Sequence, residues 1–255
     1  MNGKLKPKMI VTDLDGTLLK NDKTISDYTK AVLDKIYGNI LFVVATARPI
    51  RAVKNYLPFL KYDIGIYHGG AVIIDKNENK EKNCIKNVLE IIKILHEANN
   101  DIEIALEIDE KLFANFDAGI LWPGIEFNNL ADILCGENLE ADKIIIKNNT
   151  TIDIESLKKV LPADLNIINS EDSIFMIMNK TATKWNAVKK IAEKYGIQES
   201  EIIAFGDDFS DIEMIKNAGI GVAVSNSIDE VKNVADCITV SNEEDGVARF
   251  LDKLL

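Results

Sequence analysis

Apolar and polar positions alternate in two different rhythms along the chain. Met9-Ile-Val-Thr-Asp-Leu-Asp15 is a short apolar run that ends in acid and Gly16, the pattern of a buried strand feeding a loop. Ser26 or Asp27 can cap a helix over 28–37, on which Ala31, Leu33, Ile36 and Tyr37 form an apolar stripe. Ile40–Ala45 reads as a second buried strand, and Pro49 suits the first turn of a helix running towards Tyr56. Ile64–Tyr67 is a third strand, closed by Gly69 and Gly70. This alternation predicts a parallel, doubly wound sheet.

The rhythm changes after that. Ala71–Asp75 is a short strand followed by the polar stretch 76–83, and a helix is expected over 84–98. Strands are expected at 102–108, 143–147, 165–169 and 173–178, with a helix over 153–161. Closely spaced strands with few helices between them predict an antiparallel sheet with helices on one face. Residues 117–140 show no clear period. The first rhythm returns with a helix over 183–195 stopped by Gly196, then strands at 202–205, 221–224 and 237–240, with helices at 209–217, 228–234 and 245–254. The fold class expected is therefore α/β, a Rossmann-like core interrupted by an inserted α+β domain. The core takes residues 1–78 and 183–255, and the insertion 79–182.

Composition narrows the function. The 255 residues are 47% hydrophobic and 28% charged, which suits a folded chain, and no apolar run reaches membrane-spanning length. The polar start, Met1–Lys8, reads as no signal peptide. A formal net charge of -11 disfavours nucleic acid and anionic membranes as partners. Cys84, Cys135 and Cys237 have no metal-ligand spacing and are expected to be reduced thiols of a cytoplasmic protein.

The candidate chemistry gathers at strand ends. Asp13 and Asp15, two apart in an extended chain, point to one side beyond the C-terminal edge of the sheet, where open α/β folds bind ligands. Gly16 permits a tight turn, and Thr17 can offer a hydroxyl to phosphate. A lone Asp-x-Asp is equally a turn pair. Thr46 ends the second strand, and Arg48 follows it, free to meet a substrate or the insertion. Lys184 begins a helix, where the macrodipole disfavours a cation unless an anion is at hand; Lys180 competes for the same role. Gly206-Asp-Asp-Phe-Ser-Asp211 places three acids in a strand-end loop, oxygen donors of the kind that hold Mg²⁺, although alone it is also the pattern of a solvated acidic loop. His68 lies at a strand end on the same edge and is weighed as a substrate contact, whereas His96 on the insertion helix is expected to be structural or on the surface.

Asp13-Leu-Asp-Gly-Thr17, Thr46, Lys184 and Gly206-Asp207-x-x-x-Asp211, in this order, resemble the haloacid dehalogenase superfamily, and more narrowly its Cof-type phosphatases with an α+β cap inserted after the third strand. The resemblance covers essentially the whole chain. It departs from the family at Ala47, Gly69, Trp185 and Ser210, where the family commonly has Gly, Asn, Gly and Asn. The resemblance implies a phosphatase acting on small phosphate monoesters, with Asp13 as nucleophile and Asp15 as acid and base. It also implies Mg²⁺ at Asp13, the backbone carbonyl of Asp15, Asp207 and, through water, Asp211. Thr46, Arg48, Lys184 and Ser210 are then the substrate-binding set, with Thr46 and Lys184 neutralising the transferring phosphoryl oxygens. A phosphosugar mutase would share these residues but usually carries a helical cap at the earlier insertion point. A catalytically weak phosphometabolite-binding protein would be expected to lack Asp13 or Asp15. A receiver domain is about half this length.

Overall fold

The run Met9-Ile-Val-Thr-Asp13 has too many apolar side chains for a surface segment, and it becomes β1 (Met9–Asp13), buried along its whole length. The computed structural model describes residues 6–55, 60–135, 138–148, 153–170 and 174–254. After β1 come α1 (Asp27–Ile36), β2 (Leu41–Ala45), α2 (Ile50–Val53), β3 (Ile64–Tyr67), β4 (Val72–Asp75) and β5 (Lys80–Lys82). Ser26 caps α1 by accepting the Thr29 N–H at 3.0 Å. The helix after Pro49 is shorter than expected. It buries only Val53 and so gains little packing to sustain further turns; Tyr56 lies outside the described residues.

The middle of the chain builds α3 (Val88–Ala98), β6 (Ile104–Ile108), β7 (Lys111–Ala114), β8 (Asn128–Asn129), β9 (Lys143–Lys147), α4 (Ile154–Val160), β10 (Leu165–Ser170) and β11 (Ile174–Asn179). The helix expected from residue 84 begins at Val88. Ile85 instead exchanges backbone hydrogen bonds with Ala141, at 2.8 and 3.0 Å, and a helix could not supply both. The sheet order is β10-β11-β9-β6-β7-β8, antiparallel at every pairing except β7 with β8. Alternation along β6 and β9 divides the apolar residues between two faces. Ile104, Leu106, Ile144 and Ile146 pack beneath α3 and α4. Ala105 and Ile145 face the other way, where Ala118, Leu121, Trp122 and Ile125 cover them. The first part of the segment without clear period, 118–125, thus packs on the sheet, and β8 follows it at the sheet edge.

The last part of the chain forms α5 (Lys184–Tyr195), β12 (Ile202–Gly206), α6 (Ile212–Asn217), β13 (Ile220–Ala223), α7 (Asp229–Val234), β14 (Cys237–Ile238) and α8 (Gly246–Asp252). Gly196 ends α5 at φ +63, in the left-handed region. These strands join the first ones in a sheet of order β14-β13-β12-β1-β2-β3-β4-β5. Strands β14 to β3 run parallel, and β4 returns antiparallel to β3. Met9, Val11, Val43, Ile202 and Ala204 on one face of this sheet pack against Val188 and Ile191 of α5 and Ile215 of α6.

The chain thus divides into two units, one made of the residues up to Glu81 and from Thr183 onward, the other of Lys82–Ala182. The first carries the mixed α/β sheet with its parallel core, a Rossmann-like arrangement. Its strand order reverses at β1: the chain moves outward through β2 and β3, then returns to add β12 on the other side. Such a switch point opens a crevice at the carboxyl ends of the strands. No helix among the described residues is long and apolar enough to cross a membrane.

Candidate active site

Three acidic side chains meet at that crevice. Asp13 is the last residue of β1, and Asp207 and Asp211 follow β12; ligand oxygens of the three lie within 4.8 Å of one another. Asp211 is fully buried and Asp13 nearly so. Lys184, the first residue of α5, is 2% exposed and stands between them, its Nζ 2.6 Å from Asp13 Oδ1 and 2.7 Å from Asp211 Oδ1. The cation that the start of a helix disfavours is held there by two carboxylates. Lys180, its sequence competitor, is exposed in the other unit.

Loop geometry explains the convergence. Gly16 has φ +78, and a Cβ there would collide with the Asp207 carboxylate, so the two acidic loops close only around glycine. Thr17 donates its hydroxyl to Asp207 Oδ1 at 2.5 Å, so in this structure it fixes an acid and does not wait for phosphate. Asp211 Oδ2 accepts the backbone N–H groups of Asp207 and Asp208 at 3.1 and 3.2 Å. That contact turns Phe209–Asp211 into a 3₁₀ turn, and the α-helix expected from residue 209 therefore starts at Ile212.

Electrostatics follow from burial. Burial pushes the Asp13 carboxyl well above the ordinary range; Lys184 opposes this, and Asp211 and Asp207 add to it. Burial would lower the Lys184 ammonium, but Asp13 and Asp211 overcome it and hold it above its usual value. Asp207 is pushed up to about 6, first by burial, with the Thr17 hydrogen bond pulling the other way. Lys184 alone does not balance three crowded carboxylates.

Asp15 is turned to a different set of partners. Its carboxylate accepts Arg48 Nε at 2.6 Å on Oδ2, and Arg48 Nη2 at 3.0 Å and Lys23 Nζ at 2.6 Å on Oδ1. Its side chain is not among the three clustered carboxylates. Thr46 is buried at the end of β2, where its hydroxyl oxygen accepts the Arg48 N–H at 3.2 Å. Ser210 is exposed on the 3₁₀ turn, away from these contacts. His68 is completely buried and offers no accessible surface to a substrate; its N–H bonds the Arg48 carbonyl at 3.0 Å. His96 is on the surface of the second unit, with Nδ1 3.3 Å from the Asn100 carbonyl.

A set of braces that residue type hardly signals holds the site together. Asn226 donates to the Gly16 carbonyl at 2.7 Å, Ser227 to the Gly206 carbonyl at 3.1 Å, and the Ile228 N–H to the Asp207 carbonyl at 3.0 Å. One segment after β13 thus ties down both acid-bearing loops. Its only signal is a polar Ser-Asn-Ser run just past a strand of the same sheet.

Comparison with known proteins agrees with this geometry. The family model for haloacid dehalogenase-like hydrolases matches residues 10–251. Two Bacillus subtilis proteins, the 5-amino-6-(5-phospho-D-ribitylamino)uracil phosphatases YcsE and YitU, are 32% and 31% identical to this chain. Each comparison covers 96% of this chain, and 94% and 97% of the respective relative. A haloacid dehalogenase-like hydrolase from Bacteroides thetaiotaomicron superimposes with a TM-score of 0.83 at 26% identity, over 98% of this chain and 100% of that one. An aspartate-rich switch-point crevice, a buried lysine and full-length similarity to named phosphatases point the same way: the chain belongs to the haloacid dehalogenase-like hydrolases, as a Cof-type phosphatase.

Proposed function

We propose that this phosphatase is magnesium-dependent and hydrolyses small phosphate monoesters, sugar phosphates or similar metabolites, through an aspartyl-phosphate on Asp13. The observation that carries the reading is the buried Asp13–Lys184–Asp211 contact beside Asp207. The donor set fits the metal: the three clustered donors are carboxylate oxygens, neither histidine nor cysteine joins them among the described residues, and the negative charge exceeds what Lys184 offsets. Asp13, Asp207 and the Asp15 backbone carbonyl would hold Mg²⁺, with Asp211 acting through water. When bound, the ion supplies the positive charge that lets an anionic nucleophile approach an anionic phosphate.

The chain's own residues account for the rest. An Asp13 carboxylate oxygen bonds to phosphorus as the bond from phosphorus to the leaving oxygen breaks. Asp15 gives that oxygen a proton, then takes one from the water that cleaves the acyl phosphate. Lys184 and the Thr46 hydroxyl offset charge on the transferring oxygens. The Thr46 oxygen already accepts from Arg48, which leaves its hydrogen to donate. The second unit, Lys82–Ala182, is read as the inserted cap domain of this family.

The relatives support a substrate whose phosphate sits on a sugar or polyol chain, since YitU and YcsE are both named for a phosphoribityl compound. The test is phosphate release with Mg²⁺ from hexose and pentose phosphates and from 5-amino-6-(5-phospho-D-ribitylamino)uracil, by wild type and by Asp13→Asn. An amide cannot form the acyl phosphate, so turnover should fall by roughly 10³-fold or more. Retention of more than about a tenth of wild-type kcat would sink the covalent mechanism.

A further inference from the structure

Lys23 sits in a tight turn at the same edge, and nothing in the reading so far requires it. Its backbone has φ 66, a left-handed conformation that a side-chain-bearing residue adopts at a cost of about 1 kcal/mol or more. The turn is closed on both sides. The Lys20 N–H bonds the Thr24 carbonyl at 3.0 Å, the Lys23 N–H bonds the Lys20 carbonyl at 2.9 Å, and Asp22 Oδ1 accepts the Thr24 N–H at 2.9 Å and its hydroxyl at 2.6 Å. The chain entering the turn is anchored as well, since Asn242 donates to the Leu19 carbonyl at 3.0 Å and the Asn21 N–H donates to Glu243 at 2.6 Å. This braced, strained turn aims one ammonium at one oxygen, Asp15 Oδ1, at 2.6 Å.

The two oxygens of Asp15 are therefore not equivalent. Oδ1 accepts from both Lys23 and Arg48 Nη2, while among the described residues Oδ2 accepts only from Arg48 Nε. A carboxylate oxygen has about two acceptor directions, so two donors fill Oδ1 and one direction stays open on Oδ2. We propose that Lys23 is a positioning residue: it saturates Asp15 Oδ1 and so makes Oδ2 the oxygen that carries the proton to the leaving group. This rests on the reading of Asp15 as acid and base. In the first half-reaction the Oδ2–H bond breaks and its proton goes to the leaving oxygen as that oxygen's bond to phosphorus breaks and the Asp13–phosphorus bond forms. In the second, a water proton returns to Oδ2 as the water oxygen bonds to phosphorus and Asp13 is released. Without Lys23 each oxygen keeps one donor from Arg48 and one open direction, so either can carry the proton.

The test exploits leaving-group chemistry. A sugar alkoxide needs the proton as it leaves; 4-nitrophenolate does not. Lys23→Met, Lys23→Arg and Asp15→Asn are compared with wild type on glucose 6-phosphate and 4-nitrophenyl phosphate, with kcat and KM separated. Because hydrolysis of the acyl phosphate is common to both esters, the split is read in kcat/KM, which reports the half-reaction in which the leaving group departs: Lys23→Met should lose ~10- to 100-fold on the sugar phosphate, within the span of general-acid effects, and under ~3-fold on the nitrophenyl ester. Lys23→Arg should recover most of the loss. Lys23→Gly, which suits the left-handed turn, should show the same split, which separates lost charge from lost folding. Equal losses in kcat/KM on both esters in Lys23→Met, or none, would overturn the role of Lys23. If Asp15→Asn shows no leaving-group split while wild type is active, the assignment of Asp15 fails first and takes this proposal with it. An inactive wild type on every phosphomonoester removes both.

Discussion

Asp207 is a carboxylate that the fold makes reluctant to ionise. Its folded-state pKa of about 6 lies above the ordinary aspartate value, so the folded chain binds this proton more tightly than the unfolded chain does. The resulting stabilisation is complete below the unfolded pKa and is lost as pH rises through about 6. At pH 8, without metal, the ionised group opposes folding by roughly 1–3 kcal/mol, from about 1.4 kcal/mol per pKa unit. Asparagine keeps the oxygen that accepts from Thr17 and has no charge to bury. Metal-free Asp207→Asn should therefore melt several degrees above metal-free wild type at pH 8, and the gap should narrow near pH 5. Thermal unfolding in EDTA at the two pH values checks this. A mutant that melts lower at pH 8 would mean that the carboxylate is well paired in the metal-free state. The site spends stability to keep acids crowded, the usual exchange at a functional site.

Among the elements, α1 carries a cap with more than one task. Ser26 accepts the Thr29 N–H and donates to Asp245 Oδ1 at 2.6 Å, and Thr29 donates to that same oxygen at 3.0 Å. The start of α1 is thereby tied to the residue before α8. Ser26→Ala removes a helix cap and a charge-assisted bond together, for about 1–2 kcal/mol and a fall in Tm of roughly 2–8 °C by thermal denaturation. Phosphatase activity should change less than twofold, because Ser26 bonds Thr29 and Asp245 and none of the clustered acids.

Elements with an apolar rhythm were legible in the sequence, and elements without one were not. Five consecutive buried residues announce β1, and a stripe ending in glycine announces α5. Lys80–Lys82 is a strand of three charged residues at the sheet edge, and Asn128–Asn129 holds its place with polar residues alone; neither leaves a hydrophobic trace. The site divides in the same way. The meeting of Asp13 with Asp207 and Asp211 follows from strand-end positions, which parallel topology brings together. Lys23, Asn226 and Ser227 act through turn geometry and carbonyl acceptors, which residue type does not encode.

For the whole molecule, charge and topology restrict what can be bound. The chain has a formal net charge of -11, yet Lys23, Arg48 and Lys184 gather at one strand edge. A small phosphate needs only that local positive site, whereas a long polyanion meets the acidic surface as well. The cap role proposed for the second unit would limit size too. Hexose phosphates should exceed phosphoserine peptides in kcat/KM by ~100-fold or more, which corresponds to about 3 kcal/mol. Steady-state competition between the two decides the matter, and equal efficiencies would remove the cap from the proposal.

The place of β1 in the sheet also bears on how the protein comes to exist. This strand lies between β2, which follows it closely in sequence, and β12, whose Ile202 pairs with Met9. During synthesis the strand bearing Asp13 can pair on one edge early. Its other edge stays open until the whole middle unit and α5 have been made. Pairings of such long range form slowly, and an unpaired apolar edge invites association with other chains. Asp13 lies on one side of that gap, and Lys184, Asp207 and Asp211 lie on the other. Catalytic competence is thus among the last properties to arise on the ribosome or on refolding, and the yield of active enzyme is set by how well the nascent first half is shielded from its neighbours.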